Sequence, residues 1–173
     1  KRLAKFLDSL PIGVYIMDLN SITFYANKRS LEILGNGFAP ESLKKLMTEY
    51  SEEELRERYP TYIAGTDQLY TIEKSKENLE KVLAGETITS EDVEIEIEGK
   101  RIPIRSTQTA ISGTDGDIEY VISVFEDISD RIEAEKKLKE SEKRLARFLE
   151  SIPVGIYIFD AKATPYFANR KTL

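Results

Sequence analysis

The side chains able to do chemistry in this chain are carboxylates, amines, guanidinium groups and hydroxyls, because it contains no cysteine and no histidine. That excludes thiol nucleophiles, Cys or Cys/His zinc sites and a Ser-His-Asp relay. Glu94, Glu96 and Glu98 alternate with apolar residues and so share one face of a strand. Three aligned carboxylates could hold a cation, but Arg101 and Arg105 follow on the returning strand, and cross-strand ion pairing is the expected use. Glu52-Glu53-Glu54 and Glu91-Asp92 lie in solvated runs, so no catalytic residue and no metal ligand is assigned. Gly113-Thr114-Asp115-Gly116 reads as a hairpin turn and not as a phosphate-cradling loop. Asp127-Ile128-Ser129-Asp130 stands where a strand must become a helix. Ser129 or Asp130 can cap that helix, Asp130 and Glu133 have capping-box spacing, and Asp127 can tie the strand end to neighbouring backbone.

The elements that position these residues are organised by a repeat. Lys1 to Leu31 returns as Lys143 to Leu173, at a constant offset of 142 (143 minus 1) and without gaps. KRLAKFLDSLPIGVYIMD is answered by KRLARFLESIPVGIYIFD, and FYANKRSL by YFANRKTL. Such a period is the length of a domain plus its linker, so the expectation is one whole domain and the start of a second, in a piece of a longer chain. Within the first copy, Lys1 to Leu10 has helical spacing up to Pro11. Gly13 to Met17 and Ile22 to Ala26 read as strands around a turn at Asp18 to Ser21. Lys28 to Leu34, one or two helices within Glu41 to Arg58, and Ser75 to Ala84 follow. Three strands then meander through Val93 to Glu98, Arg101 to Ile111 and Ile118 to Glu126. This order predicts an α+β fold: a five-stranded antiparallel sheet with short helices on one face.

Net charge of −6 and a pI near 5.0 argue against a nucleic-acid partner. No apolar run approaches the roughly 18 residues that a membrane span needs, and the opening Lys1-Arg2-Leu3-Ala4 is not a signal peptide. A cytoplasmic location is expected, in keeping with the missing cysteine.

SLPIGVYIMD, FYANKRSLEILG, LYTIEKSKENLEKVLAGET, Gly116-Asp117-Ile118 and VFEDISDRIEAEKKL, in this order, resemble the PAS sensory domain family. Ser129 stands where the family's Asp-Ile-Thr signature has threonine, which keeps the hydroxyl. The resemblance implies a leading helix at 1–10, a PAS domain at 11–129, a coiled-coil-like linker helix at 130–150 and the start of a second PAS domain at 151–173. It also implies a cup lined by alternate strand residues. Counting in twos from Asp127, which in the family follows an outward residue, turns Phe125, Ser123 and Val121 inward, with Met17 and Tyr15 on the first strand. Ile102, Ile104, Ser106, Gln108 and Ala110 are placed inside on the middle strand of the meander. Tyr15, Ser106, Gln108 and Ser123 could orient a small uncharged ligand, satisfy one another or hold water. Asp127 to Asp130 would pass the signal on.

Histidine-ligated haem, a flavin–cysteine adduct and a cysteine-linked chromophore are impossible in this composition, and no cofactor is expected. In the linker, Ala134, Leu138, Ser141, Leu145, Phe148 and Ile152 recur at spacings of four and three, a seam whose main contacts would be Leu138, Leu145 and Phe148. Leu3, Phe6 and Leu10 repeat it at the start of the chain. A homodimer through these helices is the expected assembly. By analogy with the family, a non-catalytic sensor would feed an effector such as a histidine kinase or diguanylate cyclase. A ligand-free dimerisation scaffold is the alternative. The start of the second copy, Gly155 to Asp160 and Pro165 to Ala168, is expected to be either disordered or docked on another chain, because partner strands are missing.

Overall fold

The computed structural model describes residues 2–20 and 22–172. Ser21 of the expected turn, together with Lys1 and Leu173, lies outside the described residues, as do the side chains of Met47 and Glu52. The chain divides into two units, Lys1–Ser129 and Asp130–Leu173.

The first unit opens with α1 (Arg2–Asp8), β1 (Gly13–Met17), β2 (Thr23–Ala26) and α2 (Lys28–Leu34). A 3-10 turn, Asn36–Phe38, leads to α3 (Pro40–Glu49) and α4 (Glu52–Arg58). Next come β3 (Thr61–Ile63), α5 (Ile72–Leu83), β4 (Ile88–Ile97), β5 (Lys100–Ser112) and β6 (Ile118–Asp127). All pairings are antiparallel, in the order β2-β1-β6-β5-β4-β3. The five expected strands therefore share one sheet, and a sixth, β3, joins at the β4 edge. Three residues are too few to show an alternation in sequence, which is why β3 was not anticipated.

Local chemistry fixes the element ends. Thr71 accepts the amide of Lys74 and starts α5 three residues ahead of the Ser75 expected. Ser51 and Glu54 form a reciprocal capping box on α4, and the Ser51 amide holds the Glu54 carboxyl below its usual range. The β4–β5 turn places Glu98 and Gly99 both at positive φ (52° and 76°), the conformation that two-residue hairpins require. β4 begins at Ile88 instead of Val93, because a bulge between Ser90 and Val93 breaks the alternation that made only its second half legible. The bulge sets Glu91 opposite Arg105 at 3.1 Å, while Arg101 takes Glu96 at 3.7 Å and Glu94 at 4.0 Å. Glu98 sits in the turn, so the expected row of three carboxylates is a row of two.

Pairing aligns residues into rows across the sheet. Gly13, Phe125, Ser106 and Ser90 form one; Tyr15, Ser123, Gln108 and Ile88 form the next. Ile33 and Leu34 of α2 pack on Ile102, Ile104 and Phe125 to make the core, flanked by Tyr15, Phe38, Ile95 and Ile97.

α6 (Ser129–Ser151) begins at the last residue of the first unit and leads, in the second, to a two-stranded sheet of β7 (Tyr157–Phe159) and β8 (Pro165–Ala168). The repeated segment thus forms its own hairpin and not a disordered tail. Asp160 closes it, its Oδ1 accepting the amides of Lys162 and Thr164 at 2.8 and 2.9 Å. These bonds hold the Asp160 carboxyl below its usual range. A depressed carboxyl stabilises above its unfolded pKa, about 4, and that contribution disappears as pH falls through the lower folded value. Amide protection of Thr164 is therefore expected to fall on acidification from about pH 4. Asp160→Asn should flatten the profile, and an unchanged profile would show that the carboxylate does not close the turn.

Candidate functional site

A cavity of about 200 Å³ lies over the β4–β5 half of the sheet, lined by Thr61, Tyr70, Ser75, Asn78, Ile88, Ser90, Val93, Ser106 and Gln108. α5 supplies Ser75 and Asn78, the strands supply Ser90, Ser106 and Gln108, and Thr61 with Tyr70 closes the β3 side. The Asn78 amide donates to the Tyr70 hydroxyl at 2.8 Å. The nine lining residues carry no formal charge. An adjoining cavity of about 280 Å³ shares Thr61, Tyr70 and Ser75 and adds Phe38, Leu43, Leu55, Arg56 and Tyr59. The Arg56 guanidinium spans the shared wall, donating to the Tyr70 carbonyl at 3.0 Å and to Ser75 Oγ at 3.3 Å.

Of the residues placed inward from sequence, Ser106 and Gln108 reach this cavity. The others do not line it. Phe125 and Ile104 fill the core beside α2, and Val121 and Ser123 are buried. Phe125 packs on Tyr15 with ring centroids 5.2 Å apart. Tyr15 donates its hydroxyl to the Phe38 carbonyl at 3.1 Å, and burial raises its pKa further above the ordinary tyrosine value. Met17 lies opposite Val121 in the next row. The α2 side of the cup is thus solid, and the open side faces α5. Thr61, Tyr70, Ser75 and Asn78 were missed because they come from β3 and the start of α5. Thr71, a capping residue followed three positions on by Lys74 and a helical run, was the signal that could have found them.

The strand-to-helix exit is set by Asp127. Its Oδ1 accepts the amide of Ser129, the first residue of α6, at 2.9 Å. The helix starts earlier than capping by Ser129 or Asp130 would require: Asp127 takes that part, and Asp130 lies in the first turn, where its charge suits the helix dipole. Ile128 is buried and donates its amide to the Pro103 carbonyl at 3.0 Å, and Ile104 pairs with Asp127. Two residues along β5 from Ile104 is Ser106, on the cavity wall. Leu138, Leu145 and Phe148 are about 60% exposed on α6. Glu133 pairs with Lys137 at 2.6 Å, whereas Glu135 lies 3.9 Å from Arg131.

Residues 1–68 match the PAS domain family. No curated protein matches the chain. Among solved structures, the PAS domain of nitrogen regulation protein NR(II) from Vibrio parahaemolyticus is 15% identical, with a TM-score of 0.45 over 74% of this chain and 99% of that one. The PAS domain of BvgS from Bordetella pertussis is 14% identical, with a TM-score of 0.45 over 80% and 92%. A sensory box histidine kinase/response regulator from Burkholderia thailandensis is 18% identical, with a TM-score of 0.48 over 85% and 99%.

Proposed function

We propose, from the premise that this chain belongs to the PAS domain family through residues 1–68, that it is the input module of a cytoplasmic signalling protein. The general class, a sensory signalling module, comes with the family. Its cue is a small uncharged molecule held by Gln108 and Ser106 in the cavity beside α5. The observation that carries this is the register of β5: Ser106 and Gln108 wall the cavity, and Ile104, on the same strand face, pairs with Asp127 at the root of α6. A ligand that shifts β5 acts on the Pro103 carbonyl and on Ile104, and through them on Ile128 and Asp127. The module performs no chemistry of its own and carries no covalent cofactor. It drives an effector such as a histidine kinase or diguanylate cyclase.

Thermal-shift measurement against a panel of neutral metabolites tests the reading. A ligand present at 100 times its Kd stabilises the fold by about 2.7 kcal/mol. Gln108→Leu is expected to abolish that shift while leaving the unliganded melting temperature within a few degrees. A shift that survives Gln108→Leu places the ligand elsewhere and sinks this site.

The exposed seam of Leu138, Leu145 and Phe148 favours a second reading, a ligand-free scaffold that dimerises through its helices. Replacing Leu138 and Leu145 with glutamine should convert the dimer to monomer in sedimentation. If no panel member binds and association is nevertheless lost, the scaffold reading stands in place of the sensor.

A further inference from the structure

The repeat preserves a hydrogen-bond network as well as a sequence. In the first unit Asn27 is fully buried, and its carboxamide uses all four of its bonds. Oδ1 accepts the amides of Val14 and Ser30, both at 2.9 Å, and Nδ2 donates to the carbonyls of Leu7 at 2.8 Å and Ile12 at 2.9 Å. One side chain thereby joins the last turn of α1, the following loop, β1 and α2. Asp8 adds a second tie by accepting the Lys28 amide at 3.0 Å.

Asn169, also fully buried, repeats three of these four bonds and takes a hydroxyl in place of the fourth amide. Its Oδ1 accepts the Ile156 amide at 3.0 Å and the Thr172 hydroxyl at 2.7 Å, and its Nδ2 donates to Leu149 O at 3.1 Å and Val154 O at 2.9 Å. Glu150 accepts the Arg170 amide at 3.0 Å, as Asp8 accepts that of Lys28. Here, however, the gripped helix is α6, whose other end is held by Asp127. The same helix is fastened to a strand terminus at its start and to the strand that follows it at its finish. No described residue of α6 is buried.

We infer that Asn169 is a positioning residue of the signal path, passing a change in the register or tilt of α6 into β7. The inference deepens the sensory reading and rests on it. A carboxamide with four filled bonds has no slack, so a helix that turns or slides must either break the donated bonds or carry β7 with it. Asn169→Asp separates these roles. The aspartate keeps the acceptors for Ile156 and Thr172 but, when ionised, sets an oxygen against the Leu149 and Val154 carbonyls and releases the helix.

Amide exchange on the whole chain tests the relay. Asp127→Ala should speed exchange of the Ile156 and Asn169 amides about fivefold, the effect of one lost hydrogen bond. In the Asn169→Asp background, the same Asp127→Ala change should have no further effect there. A purely structural Asn169 would instead leave the two substitutions additive, and additivity overturns the inference. So does an Asp127→Ala variant whose Ile156 and Asn169 amides exchange as in the wild type. If Asn169→Asp strips all protection from β7 and β8, Glu150→Ala replaces it, since this removes only the Arg170 tie. The Asp127 effect must then shrink, and an undiminished effect overturns the proposal. None of these readouts involves Gln108, so loss of the ligand site and loss of the relay are told apart.

Discussion

Asn27→Ala should lower the melting temperature of the first unit by about 10 °C or more. The side chain is fully buried, and its removal leaves the Val14 and Ser30 amides and the Leu7 and Ile12 carbonyls without the partner that satisfied them. Stranding a buried polar group costs about 1–3 kcal/mol. Some of the four recover through water or local adjustment, leaving a loss of about 3 kcal/mol, or roughly 10 °C for a domain of this size. Asn27→Asp retains both accepted bonds and should fall between the variant and the wild type. Differential scanning calorimetry supplies the numbers. A shift of only a few degrees for the alanine variant would mean that the four groups are satisfied without the carboxamide.

The second large effect concerns two residues that share a row. Phe125 lies over Gly13, where a Cβ would stand 2.6 Å from the ring atoms Cε2 and Cζ. Gly13→Ala must displace the ring, an overpacking expected to cost about 1–3 kcal/mol. Phe125→Ala empties the centre of the cluster formed with Ile33, Leu34, Ile102 and Ile104, at about 3–5 kcal/mol. Together the two should cost less than their sum, because the added methyl no longer meets the ring. A coupling of about 1–2 kcal/mol is expected in denaturant titrations. Strict additivity would show that Gly13 is there for its backbone and not for the space it leaves.

Periodicity made most of the sheet legible. β1 and α2 coincide with the sequence reading at both ends, because Pro11, Asp18, Asn27 and Gly35 punctuate the chain where the backbone turns. The period-2 count also identified Val121, Ser123 and Phe125, all of which are buried. It could not say which of them would line an empty space. That depends on α2 filling one end of the cup with Ile33 and Leu34, while the first turns of α5 leave a space beside Tyr70 and Asn78 and its far end packs down through the buried Val82. Whether a helix packs down or stands away is a tertiary matter that alternation in a strand does not encode. The exit was half legible: Asp127 was marked as a tie, but the amide it accepts comes from the residue expected to be the cap itself.

The register of β1 sets a timetable for synthesis. Gly13 pairs with Phe125, so β1, made before the rest of this sheet, finds its inner neighbour only after more than a hundred further residues have been made. At about 5–20 residues per second that is a wait of roughly 5–20 s. β4, β5 and β6 are joined by short turns and can zip together as they emerge, which makes the meander the early structure and β1 docking the late, non-local step. During that step the edge of β6 is open, and two nearly identical strand sequences exist to fill it, Gly13 to Met17 and Gly155 to Phe159. The order of translation decides between them. The first is already waiting when β6 appears, whereas the second is still about thirty residues from being made. Refolding of the finished chain from denaturant removes that head start. Mispaired species should therefore form in refolding and be scarce in synthesis.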